Sequence, residues 1–326
     1  MMSDGARPSR VKVVLAFAVV YIIWGSTYLA IKFAIQTIPP LLMAGTRFLV
    51  AGSILYAFMR ARGTPAPPRD TWPPAAGVGA LLLLGGNGAL VWSEQRVPTG
   101  LAAILLATIP LWLVLLDALR KDGARLTGRV AAGLAVGLAG IGILVGPAKL
   151  WGSSRVDLLG AGVLVFGACF WAVGSLRSRG ANLPPSPFLA AAMEMLAGGV
   201  MLIVVGLCFG EGGDLRWHAI SWRSAAGLFY LIGFGSLAGF TAYIWLLGVV
   251  STARLATYAY VNPVVAVFLG WAFLYEPLSA REILATATIV SAVALILFHP
   301  TRSMPVAPDT EGLPTLEEER AMRLKP

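Results

Sequence analysis

Two charged side chains stand inside long apolar stretches of this sequence: Arg47, seven residues past Pro40, and Glu194, nine residues past Pro185. A charge surrounded by hydrocarbon is costly, so each needs a partner or a role. On helices rising 1.5 Å per residue, Arg47 lies roughly 10 Å below one surface and Glu194 roughly 13 Å above the other. Across an apolar layer about 30 Å thick, their depths differ by only about 7 Å, within reach of two long side chains. One reading is a pair that links two halves of the molecule and breaks in one state of a working cycle. The other is that each satisfies nearby backbone groups and stabilises its own half.

Asn87 and Glu94 are seven residues apart and share one face of a helix. Glu94, at the end of its apolar run, is a carboxyl group able to take up and release a proton, which makes it the coupling candidate. The alternative is a solvated acid beside Arg96. Pro110 and Pro263 fall near the middle of their runs. A proline there removes a backbone donor and leaves the carbonyl four residues earlier, Leu106 or Ala259, without its partner. Such a carbonyl can hold a cation or a substrate ammonium, or the proline is simply a kink. Trp24, with Ser26, Thr27 and Tyr28, sits near the centre of the first run, whereas Trp92, Trp245 and Trp271 fit an interfacial aromatic belt. Trp24 either stacks on cargo or packs against small residues such as Gly88. Tyr258 and Tyr260, just before Asn262, carry the same two readings. With Trp24 they would form an amphipathic pocket, and Thr108 and Trp171 complete the cavity candidates.

These residues need elements that cross a membrane. The 326 residues are 57% hydrophobic and only 13% charged, against about a quarter charged in soluble domains. Apolar runs fall at about 13–34, 41–59, 74–93, 99–118 and 129–146, then at about 157–177, 186–209, 224–247, 253–275 and 281–298. Each approaches the ~20 residues needed to span a bilayer. The expected fold is therefore all-α, with ten transmembrane helices. The first run is too long for a signal-peptide core and no small-residue cleavage site ends it. The net charge of +9 does not point to nucleic acid, because the basic residues form short clusters between runs. Arg7, Arg10, Lys12, Arg60, Arg62, Arg69, Arg120, Lys121, Arg125, Arg177 and Arg179 all fall on one side of such a chain, which places both termini in the cytoplasm.

The sequence also overlays itself. Trp24 falls on Trp171 and Lys32 on Arg179; Pro39–Pro40 falls on Pro184–Pro185. Without a gap, Trp92 then falls on Trp245, Thr99 on Thr252 and Pro110 on Pro263. Five spans per half is an odd number, so the copies must insert with opposite orientation. Inverted repeats of that kind are typical of secondary transporters, with the substrate site near the midplane between the halves.

Rival functions find little support. The histidines are His218 and His299, and no HExxH, GxSxG or GxxxxGK[ST] motif occurs. No catalytic residue, metal site or cofactor is expected. Cys169 and Cys208 lie in apolar runs and suggest neither a disulfide framework nor a metal site. A channel would want a filter loop or a charged ring, and a receptor or scaffold would add a soluble domain. Gly133, Gly137 and Gly140 give the fifth span a small-residue face suited to helix packing, and leave a homodimer open.

The stretches IIWGSTYLAIK, PPLLMAGTRFLVAG, GGNGALVWSEQ, VPTGLAAIL, AAAMEMLAGG and ATYAYVNPVVAVFLGW together resemble the EamA-type proteins of the drug/metabolite transporter superfamily, bacterial inner-membrane exporters among them. The resemblance runs from about Val13 to Phe298. It implies two inverted five-helix halves at 11–147 and 157–298, joined by an outer linker at 148–156. The basic-residue bias puts the segment at 1–10 and the tail at 299–326 in the cytoplasm, and the tail, with no apolar face, is expected to be disordered. The first, third, fourth, sixth, eighth and ninth spans would then surround a central cavity. The implied function is secondary transport of a small-molecule substrate, an amino acid or another metabolite, across the bilayer. One departure from the pattern stands out. The second half has Glu276 in YEPLS before its last span, where the first half has Lys121 to Arg125, so the two ends need not gate alike.

Overall fold

A computed structural model of the chain describes residues 9–97, 102, 105–120, 123, 126–145, 157–274 and 280–297. Glu276, Lys121, Arg125, the linker at 148–156 and the tail at 299–326 lie outside the described residues. Among the described residues all regular structure is helical. The elements are α1 (Arg10–Ala34), α2 (Pro40–Ala61), α3 (Arg69–Ser93), α4 (Ile109–Ala118), α5 (Gly128–Val145), α6 (Leu158–Gly180), α7 (Pro187–Cys208), α8 (Trp222–Val249), α9 (Tyr258–Leu274) and α10 (Ala280–Leu297). Among the described residues, α1, α2, α3, α6, α7 and α8 are long and apolar enough to cross a membrane; α4 and parts of α5 and α10 are shorter apolar helices.

The polarity is that of a protein dissolved in lipid. Val14, Ile22, Ile54, Phe166, Phe170, Val204 and Phe229 face outward, while Thr27, Arg47, Asp117, Ser175, Glu194, Ser236 and Asn262 are buried. Lipid rewards apolar surface and leaves polar groups to find each other inside.

Local sequence explains where the helices begin and end. Pro40 opens α2 and Pro187 opens α7 at positions where a missing N–H costs nothing. Ser186, Ser221 and Asp157 cap α7, α8 and α6 by accepting from Leu189, Ser224 and Gly160 backbone N–H groups. The Gly160 N–H, with Arg96 as a further partner, holds the Asp157 carboxyl below the usual carboxylate range. Gly63 and Gly210, each at φ +84°, turn the chain out of α2 and α7 in a conformation that other residues resist.

Two stretches depart from α geometry. Within α3, Ala80–Gly88 is a π-helix of nine residues, and within α8, Leu231–Phe240 is one of ten. π-Helices are rare and usually last a single turn. Both segments are glycine-rich and pressed against bulky neighbours. A Cβ on Gly86 would sit 2.8 Å from the Trp171 ring, and one on Gly235 2.8 Å from the Arg47 guanidinium.

Helix contacts define two ends of the bundle. At one end, Ser93 Oγ donates to the Gly160 carbonyl (3.1 Å), Ser224 Oγ to that of Phe33 (2.8 Å), and Glu211 accepts from Leu41 and Leu42 N–H (3.1 and 2.9 Å). At the other end, Thr252 Oγ1 donates to Asp117 Oδ2 (2.7 Å) and Asn182 Nδ2 to Asp70 Oδ2 (2.9 Å). The most extensive packing is of α2 with α7, then of α3 with α6 and of α5 with α10; α1 lies on α8 and α9, and α6 also lies on α4.

Candidate functional site: a cavity between the two halves

The cavity is walled by α1, α2, α3, α6, α8 and α9 and by the residues that enter α4. The space open to the centres of water molecules is about 70 Å³, room for several waters where one needs about 10–15 Å³ on that measure. Of the cavity residues expected from the sequence, Trp24, Tyr28, Asn87, Trp171, Tyr258 and Asn262 line it.

Ser26 and Thr108 do not. Ser26 Oγ donates to the Ile23 carbonyl (2.6 Å) and bonds Tyr230 Oη on α8 (2.6 Å), and Thr108 Oγ1 donates to the Leu105 carbonyl (2.5 Å). A hydroxyl bonded to its own preceding turn is spent locally. Pro110 is the second residue of α4, after a break at 107–108, whereas Pro263 lies inside α9, whose break comes earlier, at Thr257. The two prolines therefore occupy different local settings.

Aromatic rings close one end of the cavity. Trp24 meets Trp171 edge-on at 5.6 Å and lies 5.0 Å from Tyr243 and 5.2 Å from Tyr258 between ring centres. Trp24 Nε1 donates to the Gly235 carbonyl (3.1 Å), so its backing is the π segment of α8 rather than Gly88. Trp171 Nε1 donates to Tyr243 Oη (2.9 Å), which also bonds Ser175 Oγ (2.6 Å). With its amide turned to suit its neighbours, Asn262 donates to the carbonyls of Tyr258 (3.0 Å) and Tyr21 (3.3 Å). Beyond the rings, toward the ends of α4, α6 and α8, a polar latch follows. Asp117 accepts from Thr252, Arg120 Nη1 lies 3.8 Å from Asp117 Oδ1, and Arg179 Nη2 donates to the Val250 carbonyl (2.5 Å).

The charged candidates separate. Arg47 lines the cavity; its Nε donates to Ser236 Oγ on α8 (2.8 Å), its Cζ lies 4.6 Å above the Phe48 ring, and Nη1 has no partner. Glu194, fully buried on α7, accepts from Ser178 Oγ at 3.4 Å, and its Oε2 has no partner. The two helices pack closely, yet in this conformation the charges do not pair, because Arg47 turns toward α8 and Glu194 toward α6. Glu94 stands outside the cavity wall, with both carboxylate oxygens buried and unpartnered, in electrostatic range of Lys32 and Tyr28. It is not a solvated acid beside Arg96, which instead reaches Asp157 at 3.5 Å and stacks over Trp92. Because α3 is π-helical up to Gly88, the simple 3.6-residue spacing linking Asn87 to Glu94 does not hold along the whole span.

Sequence reasoning missed Tyr243, Ser175, Ser236 and Asp117. Asp117 was detectable by the criterion that flags Arg47 and Glu194, a charge within an apolar run. The other three have side chains common in any apolar helix, and only the packing makes them distinctive. The glycine face of α5 is used inside the chain: Gly133 meets Ile296, Gly137 meets Tyr260 and Gly140 meets Ile289.

Known proteins share this architecture. The model of the EamA-like transporter family matches residues 11–146 and again 158–298. The uncharacterized inner membrane transporter YedA of Escherichia coli strain K12 is 42% identical over 282 residues, covering 86% of this chain and 89% of that one. The probable amino-acid metabolite efflux pump of the same strain is 25% identical, covering 89% of this chain and 96% of that one. A protein of known crystal structure superposes with a TM-score of 0.72 at 22% identity over 89% of this chain, which speaks for the fold alone. With two copies of the family's unit filling nearly all of its length, this chain belongs to the EamA-like transporter family and is a multi-helix membrane transporter rather than an enzyme.

Proposed function

We propose that the protein is a secondary transporter that exports small amphipathic metabolites, amino acids or drugs across a bacterial inner membrane by alternating access. The observation that carries this reading is the cavity, whose walls come from both family copies and which is flanked on one side by an aromatic cluster and, beyond it, a polar cluster at Asp117 and Thr252. Such a layout suits a solute that enters from one side while the other is shut.

The reading includes ten spans in two inverted halves, with both termini in the cytoplasm. In its support, α1 packs on α8 and α9 as α6 packs on α3 and α4, and the matched residues Trp24 and Trp171 meet at the centre. Trp24, Tyr28, Asn87, Trp171, Tyr258 and Asn262 would contact cargo. Ser26 and Thr108 would shape their helices instead. Pro110 would set the break in the fourth span, and Pro263 would loosen the ninth span at the Ala259 carbonyl, past its break at Thr257. Glu94 would be the proton-coupling site, supported by two buried, unpartnered oxygens near Lys32. The inner membrane is supported by YedA, and export by the probable amino-acid metabolite efflux pump.

An uncoupled facilitator is the second reading, favoured by Glu94 lying outside the cavity wall. The deciding experiment is flux of a labelled metabolite and drug panel in proteoliposomes, with and without an imposed proton gradient. The expected outcome is gradient-driven flux that Glu94→Gln uncouples while downhill exchange continues. Flux indifferent to both gradient and variant selects the facilitator. Absence of flux for every solute in folded protein rejects the proposal.

A further inference from the structure

Arg47 is a buried cation without a counter-ion. It is 3% exposed, and among the described residues no carboxylate pairs with it. Its Nε is fixed by Ser236 and its plane rests on Phe48, so the guanidinium is held rather than free to leave. Of its two terminal nitrogens, Nη1 is buried in the wall of the cavity without a partner. The helix packed most extensively on α2 is α7, and it turns its acid Glu194 away toward Ser178. An uncompensated charge in such a place is costly, and an anion entering the cavity would offset that cost. In the same wall, the Oδ1 of Asn87 is a buried acceptor without a donor. Aromatic rings of Trp24, Tyr28, Phe48 and Tyr258 fill much of the remaining wall.

We propose that the cavity recognises the carboxylate of a small organic acid through Arg47 Nη1, with Asn87 Oδ1 accepting from an ammonium or hydroxyl on the same solute. The assignment rests on the transporter reading and narrows its cargo. A single guanidinium matches the single charge of a carboxylate, whereas a phosphate dianion would bring a second charge with no partner. A solute whose only charge is positive meets repulsion that a low-dielectric site strengthens. Arginine also presents its donors in a fixed fork, which a lysine would not reproduce.

The test uses full-length protein in lipid nanodiscs and charge-matched probes of two sizes. These are propionate, L-alanine and L-alaninamide, then 3-phenylpropionate, L-phenylalanine and L-phenylalaninamide, with inorganic phosphate as a second anion. Binding is read by calorimetry. In the wild type, carboxylates of at least one size should bind saturably, and their amides and phosphate at least tenfold more weakly. Arg47→Lys should weaken the carboxylates at least tenfold and leave the amides unchanged. Amides or phosphate binding as well as carboxylates, no carboxylate binding at all, or a variant with undiminished affinity would each overturn the assignment. Should Arg47→Lys fail to fold, the wild-type charge preference decides. Flux separates the two proposals: transport of amides without carboxylate preference sinks only the anion site, and carboxylate binding without flux sinks only the transporter.

Discussion

The hydroxyl of Tyr243 serves two partners, accepting from Trp171 Nε1 while bonding Ser175 Oγ, at the closed end of the cavity. Tyr243→Phe keeps the ring and its contacts but leaves the buried indole N–H of Trp171 without an acceptor. A buried donor left unsatisfied costs about 1–3 kcal/mol. The expected result is a lowered unfolding temperature in detergent, and an unchanged one would show that the hydroxyl is dispensable. Nothing in the sequence distinguishes Tyr243 from Tyr230 or Tyr260. Trp24 and Trp171 were legible because they are tryptophans away from run ends that fall on one another when the halves are aligned. Ser26 looked equally polar in the sequence, but a serine in a helix bonds its own backbone as readily as a ligand, and only coordinates tell which.

At the scale of elements, α2 and α7 approach so closely that their glycines touch backbone. A Cβ on Gly199 would lie 2.7 Å from the Leu49 nitrogen and 3.1 Å from the Gly45 carbonyl oxygen. Neither atom belongs to a flexible side chain, so Gly199→Ala must separate the helices. The expected cost is about 1–3 kcal/mol, as for an overpacked core. Gly162→Ala on α6 meets nothing within 4 Å and should be neutral or stabilising by up to about 1 kcal/mol through helix propensity. Thermal unfolding of the two variants side by side checks both; equal effects would refute the close-approach account. The six long helices were readable to within a few residues, because lipid demands a continuous apolar run. The breaks at 107–108 and Thr257 were not, since a short turn inside an apolar stretch leaves the composition unchanged. Glu211 was also hidden: its role as a cap on α2 comes from a helix distant in sequence.

For the whole molecule, the latch at Asp117, Thr252 and Arg179 ties α4 and α6 to the segment between α8 and α9, beyond the aromatic layer. Thr252→Val removes the hydroxyl that Asp117 accepts from, at nearly constant volume. Opening at that end should become more frequent. With Cys169 and Cys208 replaced by serine and a reporter cysteine placed at Ala259, thiol labelling should accelerate several-fold in the Thr252→Val protein. An unaltered labelling rate would mean that the latch does not hold this end shut. The two-copy plan was legible from paired prolines and tryptophans, because duplicated sequence keeps its landmarks even when its contacts diverge. The π-helical segments were not, since their stretches are apolar all round and show no period to betray them.

Those two segments also bear on ancestry. Slid by the offset that places Trp92 on Trp245, Ala80–Gly88 covers 233–241, and all but the last of those positions lie within Leu231–Phe240. A π-helix is a rare departure, and finding one at corresponding places in both copies would require the same accident twice if each half acquired it alone. A single irregular helix in the unit from which both copies descend requires it once. The widened turn is then older than the duplication, and it has been kept in both descendants while most of the residues around it were replaced.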